Sequence, residues 1–385
     1  MWLPCRRPLR DNGSQLHAWR LPVMTSPPPT ISTHPALFLH GLTLEGGWRV
    51  TGRATTVKGQ PAGRHQSVGY FVERADGHLG FLKAIDLSGI IQARNVMRAL
   101  QEVTEQFNFE VSLLEHCSDM RLSRVVHAID HGEHRIPGAL IPVPYIVFDR
   151  ADGDVRDHLE ATTVDDVWLL RCIHHVAVGL HQLHTARFAH NDVKPANVLV
   201  FEALGSKIGD LGTAVDASGT SPHGGKAFAG SWDCAPPEVP YLAEQADAWQ
   251  HGRRCDLYML GGLITFLFTH QHFNTFLKRE LPEELLPLFW GGDFTGPFEE
   301  ALPHLLAAFD RAAREVEVAL RPRLHPSVAG EVMRSIRELC HPDPARRGHP
   351  RNLSGFNPLG LERYISLYDR LVMKAGLARK RGSRP

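Results

Sequence analysis

The stretch His190-Asn191-Asp192-Val193-Lys194-Pro195-Ala196-Asn197 sets an acid, a cation and an amide within six residues. The apolar run Val198-Leu199-Val200 follows at once. Apolar runs of this kind read as short buried strands, so the polar cluster sits on a loop that strands flank. Any fold for this chain has to hold those groups together at one place. Asp192 can orient a hydroxyl and accept its proton late in a transfer. Lys194 can neutralise charge on a moving phosphoryl group, and Asn197 can ligate magnesium through its carbonyl oxygen. Phosphoryl transfer relies on positioning and electrostatic stabilisation by parts of this sort held close together. A second acid, Asp210, arrives in Ile208-Gly209-Asp210-Leu211-Gly212, eighteen residues after Asp192.

The chain has 385 residues, enough for one large or two modest domains with a sizeable core. Lys and Arg total 42 against 42 Asp and Glu, so no global field argues for nucleic acid or for an anionic membrane. The abundant His are scattered. His174, His175, His181 and His184 fall on one helical stretch but lack the convergent Cys or carboxylate set that a metal site requires. Six Cys occur without a Cys-x-x-Cys pair, which suits reduced thiols and a cytoplasmic location. Met1 to Arg10 has charges but no apolar core, so it is not a secretory signal. The most apolar run, Leu257 to Phe268, is about twelve residues, too short to span a bilayer.

In chain order, residues 1–45 read as a disordered extension with Pro27-Pro28-Pro29 among Ser and Thr, and Met24 is an alternative start. Val68–Val72 and Leu79–Ile85 read as strands joined by a turn at Ala75-Asp76-Gly77-His78. Residues 90–118 carry apolar positions at helical spacing, and Val125–Ile129 and Pro144–Phe148 read as further strands. After Gly153 the chain turns helical, with Val167, Leu170, Ile173, Val176, Leu180 and Leu183 near one face of Asp165–Thr185. Arg379 to Arg384 reads as a small basic tail.

Taken together, residues 48–350 resemble the eukaryotic-type serine/threonine protein kinases, in a variant that lacks the Arg of the His-Arg-Asp motif. The resemblance implies an α+β, bilobal fold: a β-rich small lobe with one main helix over 46–151, a larger helical lobe over 152–372, and a basic tail over 373–385. It implies ATP and Mg2+ bound between the lobes and transfer of the γ-phosphoryl to a Ser or Thr hydroxyl of a protein. Asp192 and Lys194 would then be catalytic, and Asn197 and Asp210 metal ligands. Lys83, ending Gly-Phe-Leu-Lys, looks like the strand lysine that contacts the ATP phosphates. Glu110 matches the helix glutamate that holds it, with Glu102 and Glu105 as competitors. The gap from Lys83 to Glu110 is longer than the family usually has and implies an extra turn. The run Tyr145 to Asp154 resembles the adenine-binding hinge, which assigns ATP contacts to Phe148, Asp149 and Ala151. Gly59 and Gly63 would belong to the phosphate-covering loop, although the Gly-x-Gly-x-x-Gly spacing is absent. His190, Ser231, Glu238, Asp256 and Arg347 match supports of the site, with Glu238 expected to pair with Arg347.

Asn191 stands where the family usually has Arg to pair with a phosphate on the following segment. Activity without dependence on such a phosphate is therefore expected. A separately encoded regulatory partner is expected as well, because no sensor segment is visible. Two rivals stand beside the protein kinase. A small-molecule kinase of the aminoglycoside or choline type shares a His-x-Asp loop but lacks Lys194-Pro195 and the Pro236-Pro237-Glu238 closure. A scaffold without catalysis is suggested by the irregular glycine loop and Asn191.

Overall fold

A computed structural model describes residues 34–55, 67–91, 93–139, 141–225, 228–353 and 359–382. Gly59 and Gly63 lie outside the described residues. Alternation of apolar and polar side chains builds the small lobe. Strands β1 (Trp48–Arg53), β2 (Ser67–Arg74) and β3 (Leu79–Ile85) form antiparallel pairs. In β3, Gly80, Leu82 and Ala84 are buried on one face while Phe81 and Lys83 point to the other, as the two-residue period of a strand requires. Trp48, Val50, Val68, Tyr70, Val72, Leu82 and Ala84 close that first face into a core.

The expected helix over 90–118 is two elements. A single turn, α1 (Ser88–Ile91), precedes α2 (Val96–Asp119). Asn95 makes the division, because its side chain accepts the Arg98 amide at 3.0 Å and caps a fresh helix start. The extra turn fills the long gap between Lys83 and Glu110. The sheet is completed by β4 (Ala128–His134) and β5 (Val143–Asp149), giving the order β1-β2-β3-β5-β4. The strand expected at Val125–Ile129 is displaced. Val125 and Val126 are apolar because they lie against Ile208, whose carbonyl accepts the Val126 amide at 2.8 Å. The strand in the sheet is the polar Ala-Ile-Asp-His-Gly-Glu-His that follows, an edge with little apolar alternation to read.

The small lobe also starts earlier than the sequence implies. Ala36 and Leu39 are fully buried in its core, the Tyr70 hydroxyl donates to the Ala36 carbonyl at 2.7 Å, and Leu44 bonds to Trp48. Residues 34–45 are thus part of the lobe and not of an extension.

The large lobe grows from β6 (Gly153–Asp154) and α3 (Val155–Ala161) into α4 (Asp166–Thr185), β7 (Phe188–Ala189), β8 (Val198–Phe201), β9 (Gly205–Ile208) and β10 (Val215–Asp216). Helices α5 (Ala248–Thr269), α6 (Phe273–Arg279), α7 (Phe298–Leu320), α8 (Pro326–Leu339) and α9 (Leu361–Gly382) complete it. The apolar run in α5 is core: Leu257, Leu260, Leu263, Ile264, Leu267 and Phe268 are fully buried. Among the described residues no helix is long and apolar enough to cross a membrane. The basic tail expected from 373 is instead the end of α9, which packs on α4 and buries Tyr364, Tyr368, Leu371 and Ala375 completely. Arg379 holds Asp166, the first residue of α4, at 2.8 Å and its N-cap Asp165 at 3.0 Å. A β-rich small lobe on a helical large lobe makes the architecture α+β and bilobal.

Candidate active site

The register of the sheet aims Lys83 across the cleft. It lies opposite Gly69 in β2 and Ile146 in β5, on the face turned toward α2. Its ammonium donates to Glu110 Oε1 at 2.7 Å and Oε2 at 3.0 Å, and to Asp210 Oδ1 at 3.1 Å. Burial works against the Lys83 charge, but the carboxylates of Asp210 and Glu110 outweigh it and hold its pKa above the ordinary lysine value. Glu110 is 5% exposed, and burial raises its pKa above the ordinary carboxylate value against the pull of Lys83. Glu102 and Glu105 are spent elsewhere, on Arg98 and Gln101. Gly212 permits the approach of α2, since a Cβ there would meet Glu110 Oε2 at 3.2 Å.

Eighteen residues of sequence separate Asp192 from Asp210, and β8 and β9 fold that distance into a hairpin. The loop between β7 and β8 is fixed from below by Asp256 of α5. Its carboxylate accepts the His190 amide at 2.9 Å and the Asn191 amide at 2.7 Å, and it also holds His184 at 2.8 Å. His190 donates from Nε2 to the Gly209 carbonyl at 3.0 Å, while its Nδ1 accepts the Asp192 amide at 3.2 Å. His190 thus couples the two acidic segments and is fully buried.

Asp192, 1% exposed, is oriented by three donors. Lys194 Nζ lies 3.0 Å from Oδ1 and 2.9 Å from Oδ2, the Ser231 amide 2.8 Å from Oδ1, and Asn197 Nδ2 3.0 Å from Oδ2. Lys194 also donates to the Ser231 hydroxyl. Asn197 Nδ2 further donates to the Asp192 carbonyl at 2.8 Å. The Asn197 amide oxygen and the Asp210 carboxylate are hard oxygen donors of the kind that magnesium selects. The donor set therefore fits that ion.

Ser231 reaches the loop because Gly230 passes over it. A Cβ at 230 would lie 2.0 Å from the Asn191 carbonyl oxygen. The far end of this segment is clamped by Glu238, which Arg347 grips through two bonds of 2.8 Å with both side chains fully buried. Glu238, His251 and Cys255 are the one group of three buried metal-type ligands found close together among the described residues. Both Glu238 oxygens are taken by a guanidinium, which leaves no place for a cation there. At the hinge, Phe148 is buried opposite Phe81, Asp149 is exposed and bonded to His78 at 2.9 Å, and Ala151 is half-buried.

Three features escaped sequence reasoning. His184 reads as helix core, yet it pairs with Asp256 beneath the loop. Trp232 stacks on Phe289 with ring centroids 3.9 Å apart, and Phe289 and Leu288 stay 46% and 73% exposed. Asp216 gathers the segment after Asp210. Only the last has a sequence signal, an Asp followed at two and four residues by Ser218 and Thr220, hydroxyls and amides suited to a local carboxylate cap.

Residues 63–286, more than half of the 385-residue chain, match the protein kinase domain, and the chain belongs to that family. A receptor-like protein kinase of Arabidopsis thaliana is 29% identical over 163 residues, covering 40% of this chain and 18% of that protein. An Aurora kinase of Debaryomyces hansenii is 30% identical over 113 residues, 28% of this chain and 27% of its own length. An Aurora kinase of Candida glabrata is 27% identical over 186 residues, 46% of each. The chain thus spans less than half the length of these relatives.

Proposed function

We propose that this protein is an ATP-dependent serine/threonine protein kinase. The observation that carries the reading is one constellation: Lys83 bridging Glu110 and Asp210, beside Asp192 held by Lys194, Ser231 and Asn197. The γ-phosphoryl leaves its ADP oxygen and joins a substrate hydroxyl oxygen, while Asp192 takes the hydroxyl proton. Lys83 and Lys194 stand as two fixed cations beside the phosphate path, and fixed charge of this kind is the main source of rate in such transfers. Magnesium bound by Asp210 and Asn197 would neutralise phosphate oxygens during transfer. Phe148, Asp149 and Ala151 line the proposed adenine side. His190, Asp256, Glu238 and Arg347 position the machinery without touching substrate.

Lys194 bonded to Ser231 supports an aliphatic hydroxyl acceptor held between them and Asp192. Trp232, next in sequence to Ser231, stacks on the partly exposed Phe289, and an exposed aromatic pair of this kind supports a polypeptide substrate over a small alcohol. None of the five described cysteines forms a disulfide, which supports a reducing, cytoplasmic setting. A separate protein partner for regulation belongs to the same proposal.

The test is phosphate incorporation from radiolabelled ATP with magnesium into generic protein substrates, comparing wild type with D192A. The proposal expects a loss of about 10²-fold or more in the variant, the usual scale of a proton acceptor. Equal and negligible incorporation in both would leave a scaffold. Transfer to aminoglycosides with none to proteins would leave a small-molecule kinase.

A further inference from the structure

Six residues past Asp210 the chain places a buried carboxylate that the transfer itself does not use. Asp216 ends β10, where Val215 and Asp216 pair with Ala189 and Phe188 just ahead of the loop that bears Asp192. It is 6% exposed. It accepts the amides of Ser221 at 2.7 Å, Ser218 at 3.2 Å and Thr220 at 3.2 Å, the Thr220 hydroxyl at 2.9 Å, and the Ser218 hydroxyl. The Ser221 hydroxyl then donates to the Ala214 carbonyl at 2.7 Å, and the His223 ring bonds the Gly212 carbonyl at 2.7 Å. One carboxylate therefore shapes residues 216–221, and two further bonds tie that shape back to the segment that carries Asp210.

The donors are five and the acceptor is one anion, so the arrangement needs no external charge. Among the described residues no Lys or Arg forms an ion pair with Asp216. Ser218 and Thr220 are exposed, so their hydroxyl oxygens are open to a modifying enzyme while their protons face the carboxylate. A phosphoryl group from ATP on either oxygen would release ADP and that proton. It would replace a donor with a dianionic acceptor set of about −1.5 to −2 charge, directly against Asp216.

We propose that Asp216 is a positioning residue that holds this segment ready for catalysis, and that phosphorylation of Ser218 or Thr220 switches the enzyme off. The sign is opposite to that of a segment ordered by a phosphate. The inference rests on the kinase reading for its activity readout, and the cage has a readout of its own.

The experiment compares T220E, S218E and the S218A/T220A pair in the wild-type chain and in D216N. Two measurements are made on each: transfer from labelled ATP to casein, and amide hydrogen exchange of residues 216–223. The expected result is a loss of tenfold or more for T220E and S218E, with faster exchange at Ser218, Thr220 and Ser221. S218A/T220A should remain within about threefold of wild type. In D216N, which has no charge to repel, adding T220E should lower activity further by less than twofold. Activation by T220E, or unchanged exchange in it, overturns the proposal, as does an equal T220E effect with and without Asp216. If wild type transfers no phosphate, the kinase reading fails, and exchange alone judges the cage. Should D216N fail to fold, exchange in T220E decides.

Discussion

Asn191 joins two demands at one position. Its φ is +66°, in the left-handed region that Asn tolerates better than most side chains. It is also a neutral side chain, with no charge to offer a phosphate. Buried histidines have a consequence for pH. His175 is 8% exposed and accepts the Ser206 amide at Nδ1. Burial, assisted by Arg124, lowers its pKa to about 3, and burial lowers His272 to about 4. An unfolded His titrates near ~6.5, so below that pH the unfolded chain binds protons that the folded one refuses. Stability is therefore full above the unfolded pKa and falls as pH drops toward the folded values. Each such His contributes up to about 1.4 kcal/mol per pH unit. Urea unfolding of wild type from pH 7 to pH 4 should show this decline, and H175Q should flatten it by up to one proton. An unchanged slope in H175Q would refute the assignment.

Between elements, a fully buried ion pair fastens Glu238 to the segment after α8. Arg347 donates twice to Glu238 and also to the carbonyls of His341, Arg254 and Pro342. Removing one member of a fully buried pair leaves a charge without its counter-charge, at a cost of about 3–5 kcal/mol. R347A and E238A should each lose stability on that scale in urea unfolding, with the double variant losing clearly less than their sum. Simple additivity would show that the two are not energetically coupled. Helix α9 teaches the same lesson about legibility. Its last residues are basic and read as a tail, but Tyr364, Tyr368 and Leu371 commit the helix to α4, and Arg379 follows them onto Asp165 and Asp166. Charge at a chain end says nothing about a buried stripe on the opposite face of the same helix.

At the scale of the whole molecule, Lys83 from the small lobe meets Asp210 from the large one at 3.1 Å. Ligand that binds both lobes of the folded chain stabilises it by mass action, by about 2.7 kcal/mol at a hundredfold excess over its Kd. Magnesium-ATP should accordingly raise the Tm in a thermal scan. Removing magnesium with EDTA should reduce the gain, and D210N should reduce it in the presence of magnesium but not after EDTA. A Tm indifferent to magnesium-ATP in wild type would argue for a cleft that binds no nucleotide.

The amino-acid sequence by itself determined the family, the two-lobed plan and the candidate residues that lie within a few positions of one another. Asp192, Lys194 and Asn197 share a loop, and strand and helix periods are local properties of the chain. Glu110 and Arg347 were also legible, as matches to a known pattern. Tertiary structure alone decided that residues 34–45 finish the small-lobe core, that β4 is the polar stretch and not the apolar one before it, and that His184 joins Asp256 beneath the loop. It alone gathered five donors onto Asp216. Burial and hydrogen-bond partners are set by which segments meet after the chain has closed on itself. A local pattern records which residues are suited to a core or a cap, but not which distant surface will complete it.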